Sequence, residues 1–288
     1  MKALLRKTTV AGLRAGLRLT GETGRRLMAE AQAQGGESLL EVIEHVTTSR
    51  GRIAFYSLGE VALWRARTLL TKEPETIEWI DSFRDGDVFW DVGANVGVYS
   101  LYAAITGKLD VLAFEPSASN YLLLNRNLEI NRLSERVRAY CVAFAGETRI
   151  DSLNMQSTQF GGAMSSFAER HDHAGQEFVP SFRQGAVGYA IDDFIATFNP
   201  PFPNHLKIDV DGIEGRIVAG AKKTLADPRL RSLSIELEAD REDYTKGVLA
   251  RLETVGLKLV SRRHADMFEG GPFGNVYNYR LERAPESS

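Results

Sequence analysis

The run Asp91-Val92-Gly93-Ala94-Asn95-Val96-Gly97 and the acid in Phe114-Glu115-Pro116 carry the chemistry most plainly written in this chain. Each follows an apolar run, Val88-Phe89-Trp90 in the first case and Val111 to Phe114 in the second. In a doubly wound α/β sheet, a turn and an acid placed this way make a nucleoside pocket at the carboxyl ends of the first two strands. Glycines let the backbone come close to a ligand, and the helix that follows offers unpaired N–H groups. The carboxylate, roughly twenty residues past the turn, can accept two hydrogen bonds from a ribose diol. A dinucleotide turn requires G-x-G-x-x-G, with the second glycine cleared for a pyrophosphate. Asn95 stands there instead, which argues against a nicotinamide-dependent oxidoreductase.

A second set lies further along. Lys207, Asp209 and Asp211 alternate with Ile208 and Val210, so on a strand their side chains share one face. Glu214 follows within one turn of a helix. Carboxylates at the carboxyl end of such a strand can take a proton from a hydroxyl or hold a cation electrostatically. They can equally cap the next helix. Asp209, Asp211 and Glu214 are the candidates for a chemical role.

The elements that must position these residues follow a regular rhythm from Asp87 onward. Strands are expected at about 87–92, 110–115, 137–144, 205–210, 230–237, 257–263 and 275–282, and helices at about 97–106, 117–130, 214–226 and 241–255. Alternating β and α elements imply a mostly parallel sheet covered on both faces. The last two strands are joined through Gly270-Gly271-Pro272 without a helix, which makes them an antiparallel pair. The fold class expected is therefore α/β, doubly wound, with a mostly parallel seven-stranded sheet, one antiparallel strand and a mainly helical N-terminal extension. Residues 145–204 break the rhythm with polar, glycine-bearing stretches and read as an acceptor-binding cover with local hairpins. Residues 87–283 form the main domain in this reading, and 37–86 the extension. That extension includes a helix from Ser38 to His45, with Glu41 three residues past its capping serine, and another starting at Lys72-Glu73-Pro74.

The pattern D-x-G-x-N-x-G resembles motif I of class I S-adenosylmethionine-dependent methyltransferases, whose ligand has no phosphate to cradle. Asp91 to Gly97, Phe114-Glu115-Pro116, Ile191-Asp192-Asp193-Phe194 and Lys207-Ile208-Asp209-Val210-Asp211-Gly212-Ile213-Glu214 occur in that order, with Gly220-Ala221 after them. As a set they resemble the FkbM family of methyltransferases over about residues 70 to 282. The resemblance implies S-adenosylmethionine as cofactor and O-methylation of a sugar, glycan or natural-product hydroxyl. It implies cofactor-binding roles for Asp91, Gly93, Asn95, Gly97, Glu115 and Asp209; Glu73 reads equally as an acid reaching the methionine end and as one favoured by the dipole at a helix amino terminus. The chain departs from the family pattern where Asp211 replaces a glutamate and Ala190-Ile191 replace Thr-Leu. No adenine contact is assigned.

Composition narrows the remaining classes. A net charge of −3 gives no electrostatic argument for nucleic acid. The single cysteine, Cys141, excludes an intramolecular disulfide framework and fits the cytoplasm, and it reads as a buried thiol. No apolar run is long enough to span a bilayer. Residues 1–36 are basic: Lys7, Arg14, Arg18 and Arg25 fall on one helical face, which suits peripheral contact with anionic lipid and a lipid-linked acceptor. Gly12, Gly16, Gly21 and Gly24 weaken that helix and suit a solvated tail equally. A non-catalytic, cofactor-binding membrane adaptor is the alternative from another class. Asp192 or Asp193 with Asp209 and Asp211 offer hard oxygen ligands, but strand-end and capping roles suit the first two better, and no metal site is assigned. His171-Asp172-His173 reads as a solvated loop, Glu236 and Glu238 as strand-end acids that could face the acceptor, and Trp64, Trp79 and Trp90 as core.

Overall fold

The computed structural model describes residues 43–170, 175–264, 266–271 and 273–284, together with 21–24 and 26. The chain divides into Met1–Val42 and Ile43–Ser288. Of the first unit, 21–24 and 26 are helical. The rest of the basic segment, the start of the Ser38 helix and His171-Asp172-His173 lie outside the described residues. Among the described residues, no helix is long and apolar enough to cross a membrane.

In the second unit the chain opens with an antiparallel hairpin, β1 (Ile43–Thr48) and β2 (Gly51–Tyr56). Two helices follow, α1 (Glu60–Arg67) and α2 (Pro74–Asp81). The alternating core then runs β3 (Val88–Val92), α3 (Val98–Ala104), β4 (Asp110–Phe114), α4 (Ala118–Ile130) and β5 (Val137–Tyr140). Next come β6 (Ala143–Phe144), β7 (Arg149–Met155), β8 (Ser165–Phe167), β9 (Phe182–Tyr189) and α5 (Ile191–Phe198). The chain ends through β10 (His205–Ile208), α6 (Glu214–Ala219), α7 (Lys222–Ala226), β11 (Ser232–Glu238), α8 (Glu242–Thr254), β12 (Leu257–Arg263) and β13 (Val276–Arg283).

Seven strands form one sheet in the order β12-β13-β11-β10-β3-β4-β5. β13 is antiparallel to both its neighbours, and the other neighbouring pairs are parallel. The order reverses between β3 and β10, and their carboxyl ends make the crevice in which such sheets bind ligands. Alternation on the central strands separates two cores. Trp90, Phe114, Phe144 and Phe194 pack on one face, and Trp79, Phe89, Leu101 and Tyr102 on the other.

Four local expectations are corrected. Ile43–Thr48 is a strand where the Ser38–His45 reading put a helix, because Ile43, Val46, Thr47 and Thr48 suit a pleated surface and pair with β2. The 137–144 strand is two: after Tyr140 the chain leaves the main sheet, and it joins a second one at Ala143. Cys141 falls in that break and is exposed rather than buried. The 214–226 helix divides at Gly220, where a Cβ would come within 2.6 Å of the Ala145 carbonyl oxygen. The segment between the third strand and β10 contains the second sheet, in the order β6-β9-β7-β8, with β7 antiparallel to both β8 and β9.

The hairpin is fastened to α4 by two asparagines. Asn131 accepts from the Ala54 N–H at 2.9 Å and donates to the Ala54 carbonyl at 2.6 Å. Asn127 accepts from the Tyr56 N–H at 2.6 Å and donates to the Val96 carbonyl at 2.8 Å. An outer strand edge is thereby closed by side chains in place of another strand. Asn131→Ala should lower stability by about 1–3 kcal/mol, the scale of leaving partly buried backbone groups unpaired. A urea melt checks this; an unchanged midpoint would mean that water replaces the side chain at no cost.

Candidate active site

The turn after β3 is built by steric necessity. Gly93 has φ 86°, and a Cβ there would lie 1.8 Å from the Asp209 carbonyl oxygen. The ends of β3 and β10 touch through a position that no side chain can occupy. Gly97, also at φ 86°, leads into α3 where a Cβ would meet Leu124 and Leu101. Asn95 takes φ 52°, a left-handed conformation asparagine tolerates. Its N–H donates to Glu115 at 2.8 Å, and Ser117 N–H donates to the other carboxylate oxygen at 2.8 Å. A carboxylate has about four acceptor sites, so both oxygens keep lone pairs for a diol. Burial pushes the Glu115 carboxyl up to about 7 against the pull of these two bonds.

Beneath the turn lies a charged stack. Lys207, 2 % exposed, stands in register with Asp91 and Ser234 on the neighbouring strands. Asp91 is buried and accepts from the Ser100 hydroxyl at 2.6 Å. Lys207 forms an ion pair with Asp209, and its ammonium lies 5.1 Å from the Tyr99 ring centroid. Burial disfavours ionised Asp209, but Lys207 and then Lys72 outweigh it and hold the carboxyl at about 2. Glu73 pairs with Lys72 at 2.5 Å and accepts from the Thr76 hydroxyl at 3.1 Å, so it stays ionised despite its burial.

Glu236, near the carboxyl end of β11, completes the group. One oxygen from each of Glu73, Asp209 and Glu236 lies within 4.8 Å of the others, a spacing that can hold a divalent ion. Two of the three are already answered by lysines. Among the described residues the Glu236 carboxylate has neither a hydrogen bond nor an ion pair, and burial, then Asp209, push its pKa well above the carboxylate range.

These groups line one cavity of about 210 Å³. Of the residues expected from sequence, Glu73, Gly93, Asn95, Glu115, Asp209 and Asp211 line it, whereas Asp91, Gly97 and Glu214 do not. Asp91 and Gly97 support it from below. β10 ends at Ile208, so the expected alternation does not reach Asp211. Asp211 turns at φ 64° and accepts from the N–H groups of Met164 and Ser165 at 2.7 and 3.3 Å, tying the inserted segment over the cavity. Glu214, expected among the chemical carboxylates, instead accepts from Gly212 N–H at 2.9 Å. Burial, then neighbouring Glu238, raise its carboxyl to about 8. Asp192 and Asp193 are also elsewhere: Asp192 caps α7 through Lys223 N–H, Thr224 N–H and the Thr224 hydroxyl, and Asp193 accepts from Thr148.

Sequence reasoning missed two contributors to the cavity, Gly162 and Trp64, and left a third, Glu236, as a strand-end acid that could face the acceptor. Gly162 of the insertion accepts at its carbonyl from Asn95 at 2.8 Å and Asn120 at 3.0 Å, closing the cavity over the turn. Glu236 carried a signal, its place at a strand end, but that signal was not specific. Trp64 was read as core and is 38 % exposed at the cavity wall, while Trp79 and Trp90 are buried.

A glycine turn, a buried acid at the end of the adjoining strand, a cluster of carboxylates beyond it and a sheet with its seventh strand reversed are the parts of a methyltransferase that uses S-adenosylmethionine. Residues 91–259 match the methyltransferase FkbM domain, and the chain belongs to that family. It is 24 % identical over 205 residues to the hexuronic acid methyltransferase AglP of Haloferax volcanii, covering 71 % of this chain and 78 % of that one. It is 27 % identical over 206 residues to the 31-O-demethyl-FK506 methyltransferase FkbM of Streptomyces tacrolimicus, covering 62 % and 76 %. Among solved structures it is similar to a putative rRNA methylase from Clostridium thermocellum, at 10 % identity and a TM-score of 0.47, covering 75 % and 98 %.

The residues present fit S-adenosylmethionine. Glu115 offers free lone pairs for the ribose, Gly93 leaves the backbone bare, and the acids beyond can face the cationic sulfonium and amino groups. Glu115 must be ionised to accept both hydroxyls, so cofactor binding should release a proton below about pH 7. Affinity for S-adenosylhomocysteine should rise between pH 6 and 8 and level off, and Glu115→Gln should bind more weakly with a flat profile. Calorimetry in buffers of different ionisation enthalpy reads both; a flat wild-type profile would remove Glu115 from the ribose. The protein alone should behave oppositely. Between the ordinary value of 4.5 and about 7, folded Glu115 keeps a proton that the unfolded chain has lost, so this group's contribution to stability falls as pH rises.

Proposed function

We propose that this chain transfers the methyl group of S-adenosylmethionine to a hydroxyl of a sugar, glycan or natural-product acceptor, with Glu236 as the base. The observation that carries this reading is the division of labour among the three clustered acids. Glu73 and Asp209 are bound to lysines and poor at taking protons, while Glu236 faces the same space without a cation of its own. The lysine pairs leave Glu73 and Asp209 weakly basic, whereas burial and Asp209 make Glu236 the most basic of the three.

S-adenosylmethionine supplies an electrophilic methyl group and a sulfonium leaving group. The chain's part is to hold the acceptor oxygen in line and remove its proton. As the acceptor oxygen takes up the methyl group, its proton would pass to a Glu236 oxygen. Asp209, held ionised, would stabilise the cationic cofactor and orients Lys207, while Glu73 holds Lys72. Asp211 keeps the insertion over the cavity and Glu214 shapes the loop before α6, so both act by positioning. The names of the two relatives, one acting on a hexuronic acid and one on 31-O-demethyl-FK506, support an oxygen acceptor on a sugar or polyketide. The basic residues from Lys2 to Arg26 support a cytoplasmic site of action at an anionic membrane surface, on a lipid-linked acceptor.

The test is transfer from labelled S-adenosylmethionine to methyl glycosides, glycolipid extracts and a macrolide alcohol, followed by alkali treatment of the product. A methyl ether survives alkali; a labile ester would overturn the hydroxyl assignment. Glu236→Gln should lower kcat by about 10²–10⁴-fold with little change in cofactor affinity. Retained kcat would move the base elsewhere. Because Lys72 and Lys207 already neutralise two of the acids, EDTA should leave turnover intact. Loss restored by Mg²⁺ would convert the cluster into a metal site.

A further inference from the structure

The cavity has one wall that proton transfer does not use. Trp64 from α1 and Phe268 and Phe273 from the link between β12 and β13 all line it. Trp64 and Phe268 lie 6.4 Å apart between ring centroids, tilted by 50°, and Phe268 and Phe273 lie 5.6 Å apart at 63°. The Lys72 ammonium, paired with Glu73, is 5.9 Å from the Phe268 centroid, so the aromatic surface runs up to the acid cluster. All three rings fall outside residues 91–259, the part of the chain shared with the family domain.

Strand order fixes which end of the cavity this wall belongs to. Glu236 pairs in register with Asn278 on β13, next to Val276, and both β13 residues line the cavity beside the rings. Glu115 follows β4, three strands away from β11, or about 14 Å at the usual strand spacing. The rings therefore stand at the transfer end and not at the ribose end.

A further acceptor stands on the same side. Asn278 is 7 % exposed and lines the cavity; its amide N–H donates to Glu75 at 3.0 Å, but its Oδ1 is buried without a partner. A buried carbonyl oxygen left unpaired costs free energy unless a donor arrives. Aromatic faces opposed to carboxylate and amide oxygens match a molecule with one apolar face and a rim of hydroxyl donors. A pyranose ring has that form: its axial C–H groups carry partial positive charge and meet the negative face of an aromatic ring, while its hydroxyls point outward to acceptors.

We propose that Trp64 and Phe268 form a platform on which a pyranose ring of the acceptor stacks, with Asn278 accepting from one of its hydroxyls. This rests on the methyl-transfer reading and narrows its acceptor to a sugar.

Tryptophan fluorescence separates the two. Trp79 and Trp90 are 1 % and 0 % exposed, so acrylamide reaches Trp64 alone. With S-adenosylhomocysteine present, methyl glucopyranoside or methyl glucuronoside should protect Trp64 from quenching, an effect lost in Trp64→Phe and reduced in Phe268→Ala. In turnover, Trp64→Ala and Phe268→Ala should each raise KM for the glycoside about tenfold, leaving cofactor affinity unchanged. Asn278→Asp keeps the acceptor oxygen and should keep the glycoside, whereas Asn278→Leu should lose it. Glycoside turnover that ignores both ring variants would overturn the platform while leaving methyl transfer in place. Turnover of the macrolide alone, with no glycoside protection of Trp64, would overturn the sugar itself.

Discussion

A lysine ammonium buried beneath the ends of β3 and β10 has to be answered by carboxylates, and much of the site follows from that requirement. An isolated charge in such a place is prohibitively costly, and a paired one is tolerated only with good geometry. Lys207 reaches Asp209 above it and faces Asp91 beside it, so three polar groups that each disfavour burial are stable together. Lys72 and Glu73 repeat the arrangement on the neighbouring segment. The result is a cavity floor with fixed charges, in which an acid lacking a lysine is electrostatically distinct from those that have one.

The second constraint is contact without side chains. Gly93 brings the backbone of the turn against the Asp209 carbonyl, which places the cofactor end and the charged end of the cavity in one rigid junction. A larger residue there would push β3 and β10 apart and separate Glu115 from Asp209. Asn127 extends the same junction outward, since one amide holds both the hairpin at Tyr56 and the turn at Val96.

The sequence made the central sheet legible because buried parallel strands are continuous apolar runs, and a glycine turn with a strand-end acid has few other uses. Glu73, Gly93, Asn95, Glu115, Asp209 and Asp211 reached the cavity for those local reasons. The β1–β2 hairpin was not legible, since its stability comes from Asn127 and Asn131 more than seventy residues later. The fate of Glu214 was hidden too: whether it faces the cavity or the loop depends on the turn at Asp211, a backbone conformation that residue type does not specify. Trp64 looked like core because a tryptophan on a short helix usually is. Its partner on the cavity wall is Phe268, some two hundred residues away, a neighbour that local sequence does not announce.

The bifurcated acceptor at Gly162 has a mechanical consequence. Its carbonyl is held by the asparagine that shapes the glycine turn and by Asn120 at the start of α4, so roof and floor are riveted at that point. Lifting the roof there would unmake the turn that receives the nucleoside. The opposite side is held differently: Phe268 ends a short 3-10 turn before Gly270-Gly271 and packs its ring against Trp64 and Phe273. The two sides of the cavity are thereby joined by different forces, directed hydrogen bonds at the glycine turn and ring packing at the aromatic wall.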